Sequence, residues 1–225
     1  MRAGHIIGAI AVLYKTNEGN VLYTGDYTAQ QSRLIDSEKF SNYLKYKKIP
    51  IDIMISEGTY GKSEQKNKET EIIRLIEDIT KTLEQKGKVL IPAFAVGRSQ
   101  EIIMLLKETI TTKIPIYVDG LIRTINCLYG YNYRYLKRKY QKEARYSQNI
   151  FIADNVIDIN SDKERQELIT NNESCIIVSS SGMLSGGPSV YYAKQLLVDK
   201  NSLIAIVGYQ DEDSPGNALL EATTN

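Results

Sequence analysis

The sequence predicts an α/β fold built on a parallel sheet, and two observations carry that prediction. From residue 66 onward, apolar runs of strand length alternate with segments whose apolar residues recur at helical spacing. Two of the turns that lead from such a strand into such a helix are rich in glycine and serine, at Gly97-Arg98-Ser99 and from Ser179 to Ser189.

Taken in order, the chain begins with Gly4-His5 beside Gly8, a composition suited to a tight turn. Residues 11–15 and 20–25 read as two strands joined by a turn at Asn17-Glu18-Gly19, with Asp26 just past the second. Residues 30–50 are polar and irregular, with a short helix expected near Phe40 to Tyr46. The β-branched run Ile51 to Ile55 reads as a buried strand that stops on Glu57, next to Gly58 and Gly61. Ile72, Ile73, Leu75, Ile76, Ile79 and Leu83 then mark a helix closed by Gly87. Strands follow over 88–94 and 115–118, separated by a helix carrying Ile102, Ile103, Leu105 and Leu106. Phe151 and Ile152 suggest a short strand. Ser161 and Glu164 form the capping box of a helix that runs to Ile169. A strand over 175–178, a helix over 190–197 and a strand over 203–207 complete the pattern.

With 225 residues, 42% hydrophobic and 24% charged, the chain can bury a core as one large domain or two small ones. No apolar run is long enough to span a bilayer, so no membrane partner is expected. The N-terminus does not read as a signal peptide. Cys127 and Cys175 form no metal-binding pair, and they read as packed, reduced thiols of a cytoplasmic protein, although two cysteines leave a disulfide open. Net charge is +1 but unevenly spread: Arg123 to Tyr146 holds seven basic residues against one acid, Glu143. That segment interleaves its cations with six tyrosines. Phosphate pairing with base stacking would use both, and so would an amphipathic helix with packed tyrosines and solvated lysines.

The remaining candidates each have a chemical and a plain structural reading. His5 and Asp26 carry donors that suit zinc, but spacing alone makes them a turn histidine and a strand-end aspartate. Glu57 is a metal ligand, a base, an orienter of a histidine, or a turn cap. Asp119-Gly120 reads as a strand-end cap. Arg98 and Ser99 open a helix where backbone amides face an anion, and Ser180, Ser181, Gly182, Ser185, Gly186, Gly187 and Ser189 form a second such turn. Neither turn matches a P-loop or a dinucleotide fingerprint.

Ala3-Gly4-His5, Gly25-Asp26-Tyr27, Glu57-Gly58-Thr59-Tyr60-Gly61, the segment from Ile91 to Glu101, the segment from Ser181 to Ser189 and Val207-Gly208-Tyr209-Gln210 follow one another in a distinctive order. That order resembles the β-CASP metallo-β-lactamase family, the group of ribonuclease J and of the cleavage and polyadenylation endonuclease. The likeness runs from end to end and sits nearest the prokaryotic, archaeal-type cleavage factors. It implies part of a metallo-β-lactamase αββα domain over residues 1–61 and a nearly complete, Rossmann-like β-CASP domain over 62–225. It implies a zinc-dependent RNA phosphodiester hydrolase with two zinc ions. His5 would be a metal ligand, Asp26 the bridging carboxylate and a catalytic residue, and Glu57 the first β-CASP acid, paired with a later histidine. Arg98, Ser99 and the Ser180–Ser189 turn would hold phosphates of single-stranded RNA, and a homodimer is one arrangement of the whole. The family's H-x-H-x-D-H motif would precede His5 and two further histidines would follow Asn225. The chain is therefore expected to be an internal piece, inactive alone. The alternatives are a non-enzymatic RNA-binding relative and a DNA-repair-type nuclease.

Overall fold

A computed structural model describes residues 1–28, 30–36, 40–61, 64, 66–111, 113–147 and 149–224. In chain order the elements are β1 (Val12–Lys15), β2 (Asn20–Tyr23), α1 (Phe40–Lys47), β3 (Ile53–Ile55), α2 (Lys68–Glu84), β4 (Val89–Pro92), α3 (Arg98–Thr109), β5 (Ile116–Asp119) and α4 (Ile122–Tyr131). After a 3-10 turn at Tyr133–Tyr135 come α5 (Arg138–Tyr146), β6 (Val156–Asp158), α6 (Asp162–Thr170), β7 (Ile176–Ser179), α7 (Pro188–Leu196), β8 (Leu203–Ile204) and α8 (Pro215–Thr224). They divide into two units, Met1–Gln65 with Tyr131–Gln148, and Lys66–Gly130 with Asn149–Asn225.

In the first unit β1 and β2 form the expected hairpin, closed where the Thr16 amide donates to Gly19 O at 3.0 Å. β3 joins β2 in parallel. The register puts Val12, Tyr14, Val21, Tyr23, Ile53 and Ile55 on one face of this sheet. That face is wet: Tyr14, Tyr23, Ile53 and Ile55 are each about half exposed. The expectation of a buried strand at 51–55 is therefore corrected, because among the described residues no element of this unit covers that apolar face. The stretch Leu34-Ile35 bridges to Leu136, and Lys137 fixes the junction, its amide to Leu34 O at 2.8 Å and its Nζ to Ser32 O at 2.6 Å. α5 starts there and buries Tyr140 and Ala144.

In the second unit all five strands run parallel in the order β6-β5-β7-β4-β8. Every residue of β4 and β7 is buried, which explains the Val/Ile/Leu runs that lead to Pro92 and Ser179 at their ends. One sheet face packs Leu90 and Ile177 against Leu168 of α6 and Tyr192, Ala193 and Leu196 of α7. α3 buries Ile102, Ile103, Leu105 and Leu106 as its spacing predicts. α2 is capped by Asn67, whose side chain accepts from the Glu69 and Thr70 amides. The left-handed residue after α2 is Lys86. Gly87 instead serves close approach, since a Cβ there would lie 1.9 Å from Asn201 O.

Three expectations needed correction. The third strand of this sheet's parallel ladder is Val156–Asp158, not Phe151-Ile152. Phe151 is a core plug in a turn, buried edge-to-face on Tyr129 with centroids 5.9 Å apart. β8 spans only Leu203–Ile204. α8 went unforeseen, although Ser214 before Pro215 is a helix-start signal: its hydroxyl accepts from the Asn217 amide at 3.2 Å.

Candidate functional site

The chemistry-bearing residues collect at two sheet edges, one in each unit. In the first unit an isolated antiparallel bridge joins Gly4 to Tyr27. It makes His5 and Asp26 the next residues facing each other across it, so two positions 21 apart in sequence meet at one sheet end. β2 and β3 are parallel neighbours, with Tyr23 opposite Ile55, and the chain beyond them carries Asp26 and Glu57 off the same edge. Glu57 caps its own turn, its Oε2 accepting from the Thr59 amide at 3.0 Å. Imidazole and carboxylate here are two donors of the kind zinc takes. Among the described residues no three His, Cys, Asp or Glu gather into one metal-holding group.

The second unit's site stands on three adjacent strand ends. Pro92 of β4 and Asp119 of β5 both pair with Ser179 of β7, so the turns after these strands emerge side by side at the C-terminal edge. Open parallel sheets place their ligands at that edge. Gly182 is pressed against the turn after β4: a Cβ on it would lie 2.8 Å from the Phe94 amide nitrogen. Gly120 is as tight against Ser180, with Oγ 2.5 Å from where its Cβ would be. At Gly182 only glycine lets the two backbones approach so closely, whereas Gly120 is crowded by side chains and is left-handed, with φ 82°.

The seven residues proposed for this loop divide by what their atoms already do. Ser189 is buried and its hydroxyl donates to Ser181 O at 2.8 Å, bracing the loop. Ser181 Oγ accepts from the Ser185 amide at 3.2 Å. The amides of Gly186 and Gly187 donate to no protein acceptor among the described residues, and they lie just before α7. A Cβ on Gly186 would meet nothing within 4 Å, so that side of the loop is open. Amides with that freedom at a helix start are anion donors.

The turn after β4 is different. Its Gly97 amide donates to Gln100 Oε1 at 2.7 Å and its Ser99 amide to Phe94 O at 3.3 Å. Ser99 is fully buried with its hydroxyl on Ala95 O at 2.9 Å. Ser99 therefore builds the turn. Arg98 is exposed, and it is the group this turn presents.

Beneath the Ser179–Ser189 loop lies a cluster that sequence reasoning left as a simple strand-end cap. The buried Asp119 carboxylate accepts from Arg165 Nε at 2.6 Å and Nη2 at 3.1 Å, from Tyr192 Oη at 2.8 Å and from the Gly120 amide at 2.6 Å. Arg165 also pairs with Asp162. The hydrogen bond to Asp119 raises the pKa of Arg165. Burial, then the Asp119 bond, raises that of Tyr192. This carboxylate ties α6 and α7 to the strand end beside Ser179. Ser179 Oγ itself is buried with no hydrogen-bond partner among the described residues. The only local signal was Asp119-Gly120; Arg165 and Tyr192 lie too far along the chain for spacing to reveal them.

Both cysteines are free, Cys175 buried and Cys127 exposed, which corrects the expectation that both are packed. No helix among the described residues is long and apolar enough to cross a membrane.

Residues 99–219 match the model of the Beta-Casp domain. The chain is 36% identical, over 96% of its length, to the transcription termination factor FttA of Methanothermobacter thermautotrophicus, and 38% identical to that of Pyrococcus abyssi. It is 35% identical to an RNase J-like protein of Methanocaldococcus jannaschii. It spans 34% of the length of either termination factor and 50% of the RNase J-like protein.

Proposed function

This chain belongs to the β-CASP family, and from that premise we propose that it is part of a zinc-dependent ribonuclease whose RNA phosphates rest on Arg98 and the Ser180–Gly187 loop. The observation that carries the reading is the open edge of that loop, where two glycine amides without protein acceptors among the described residues stand at the start of α7. Residues 1–61 are assigned to a metallo-β-lactamase domain and 62–225 to the β-CASP domain. The wet apolar face of the first unit's sheet supports that assignment, since a sheet of this makeup calls for a covering layer.

His5 and Asp26 would hold zinc, and Asp26 would bridge two ions. Bound zinc supplies Lewis acidity and lowers the pKa of an attacking water. Glu57 would orient a histidine elsewhere in the protein. Ser181 and Ser189 hold the loop in shape, and Arg98 offers a bidentate contact to phosphate. Two donors fall short of the three protein ligands that catalytic zinc normally needs, so the 225-residue chain by itself neither holds a zinc pair nor cleaves RNA. Likeness to transcription termination factors favours a nascent transcript as the RNA and a cytoplasmic setting, and a homodimer remains part of the proposal.

Single-turnover cleavage of a labelled single-stranded RNA by the intact protein tests this reading. Arg98→Gln should weaken substrate binding about tenfold while leaving the cleavage step nearly unchanged, as the loss of one charge-assisted phosphate contact requires. Equal binding by the variant and the parent would remove Arg98 from the RNA path.

A further inference from the structure

The segment from Tyr131 to Ser147 belongs to the first unit and carries exposed cations and rings of its own. The six tyrosines between Tyr129 and Tyr146, five of them in this segment, are sorted by the fold. Tyr129 and Tyr140 are core residues, whereas Tyr131, Tyr135 and Tyr146 stand 84%, 55% and 93% exposed. The cations are sorted as well. Tyr140 and Ala144 define the buried side of α5, so Arg138, Lys142 and Arg145, spaced i, i+4, i+7, share one exposed stripe about 10 Å long at ~1.5 Å per residue. Arg138 and Lys142 have no acidic partner among the described residues. Arg134, and more weakly Arg145, hydrogen-bonds the Tyr133 hydroxyl, and the Arg134 bond is the main cause of its lowered pKa. The last turn of α5 is thus braced against the 3-10 turn that precedes it. The Ser32 and Leu34 contacts of Lys137 fix the other end of the helix.

We propose that Arg138, Lys142 and Arg145, with the exposed rings of Tyr135 and Tyr146, form a tracking surface for single-stranded RNA in the first unit. The cations meet successive phosphates and the rings receive unstacked bases, which is the pairing that sequence-tolerant single-strand binding uses. Duplex nucleic acid would satisfy the cations but hide its bases from the tyrosines. An anionic membrane would need the apolar side of α5, which is already buried under Tyr140 and Ala144. The surface does not depend on zinc or on the loop at the other unit's sheet edge, though it shares with that reading the choice of RNA.

The test is fluorescence anisotropy of a uridine-rich single-stranded RNA with the intact protein across a potassium chloride series, with chelator present so that no strand is cut. Replacing all three cations (Arg138→Gln, Lys142→Gln, Arg145→Gln) should weaken binding. It should also flatten the log–log salt slope by about 2, from ~0.7 per phosphate on single strands. A second variant, Arg138→Gln with Lys142→Gln, keeps the Arg145 bond to Tyr133 and should flatten it by ~1.4. Tyr135→Ala with Tyr146→Ala should weaken single-strand binding about tenfold or more and leave duplex binding unmoved. Unchanged slopes in both cation variants would overturn the proposal. So would equal losses on duplex and single strand in the tyrosine variant, or cation-dependent binding to anionic vesicles but not to RNA. Loss of zinc-dependent cleavage with this binding intact would count against the hydrolase reading alone.

Discussion

Replacing Asp119 by alanine probes the structure where its parts are most interlocked. The substitution leaves Tyr192 Oη, on a residue with 0% exposure, without its acceptor, and deprives Arg165, whose side chain is 22% exposed, of two charge-assisted bonds. Breaking a buried ion pair from one side costs about 3–5 kcal/mol. Arg165 keeps Asp162 and some access to water, which places the expected loss near the lower end, about 3–4 kcal/mol. Tyr192→Phe removes one donor and leaves the carboxylate three others, a loss of about 1.5 kcal/mol. The double variant should lose clearly less than the sum, because without Asp119 the tyrosine hydroxyl has nothing to bind; a coupling of about 1–2 kcal/mol is expected. Urea denaturation followed by far-UV circular dichroism, with slopes compared across the four proteins, measures all of these terms. A cost under about 1 kcal/mol for Asp119→Ala, or strict additivity with Tyr192→Phe, would refute the hub.

Other consequences are smaller and cheaper to check. Ser179→Ala removes a buried hydroxyl that has no partner, so it should be neutral or stabilising by up to about 1 kcal/mol in the same titration. Gly182→Ala should lower the melting temperature by several degrees, because its Cβ would sit 2.8 Å from the Phe94 nitrogen, whereas Gly186→Ala, which meets nothing within 4 Å, should not. Burial pushes the Cys175 thiol up from 9.0 to about 12 and also raises Tyr192 and Tyr117. In each case the folded state binds the proton more tightly than the unfolded chain does. Stability should therefore hold below pH 9 and fall progressively above it, read as a dropping melting temperature. A thiol reagent at neutral pH should label Cys127 quickly and Cys175 only on denaturation.

The parallel sheet was legible in the sequence because β4 and β7 are buried on both faces and are apolar except at their last residues, Pro92 and Ser179, so their runs stand out. α2 and α3 were legible for the matching reason, an apolar stripe at helical period. Phe151-Ile152 misled because a short apolar pair reads the same whether it forms a ladder or plugs a core from a turn. Ile51 to Ile55 misled in another way: composition reports what a strand is suited to bury, while exposure depends on which elements lie over it. At the sheet edge, glycine and serine content marked a strand-to-helix turn but could not separate the bracing hydroxyls of Ser99 and Ser189 from the amides of Gly186 and Gly187. That division is set by hydrogen bonds that local spacing does not encode. The facing of His5 and Asp26 arises from a single bridge between Gly4 and Tyr27 that no periodicity announces.

The central claim is that this chain contributes Asp26 to a zinc centre that cuts RNA. Its most direct test is cleavage of single-stranded RNA by the intact protein, with and without chelator, beside the Asp26→Ala variant. Zinc-dependent cleavage that falls to background in Asp26→Ala is the predicted result. Cleavage that survives chelation, or that proceeds undiminished in Asp26→Ala, would contradict the account.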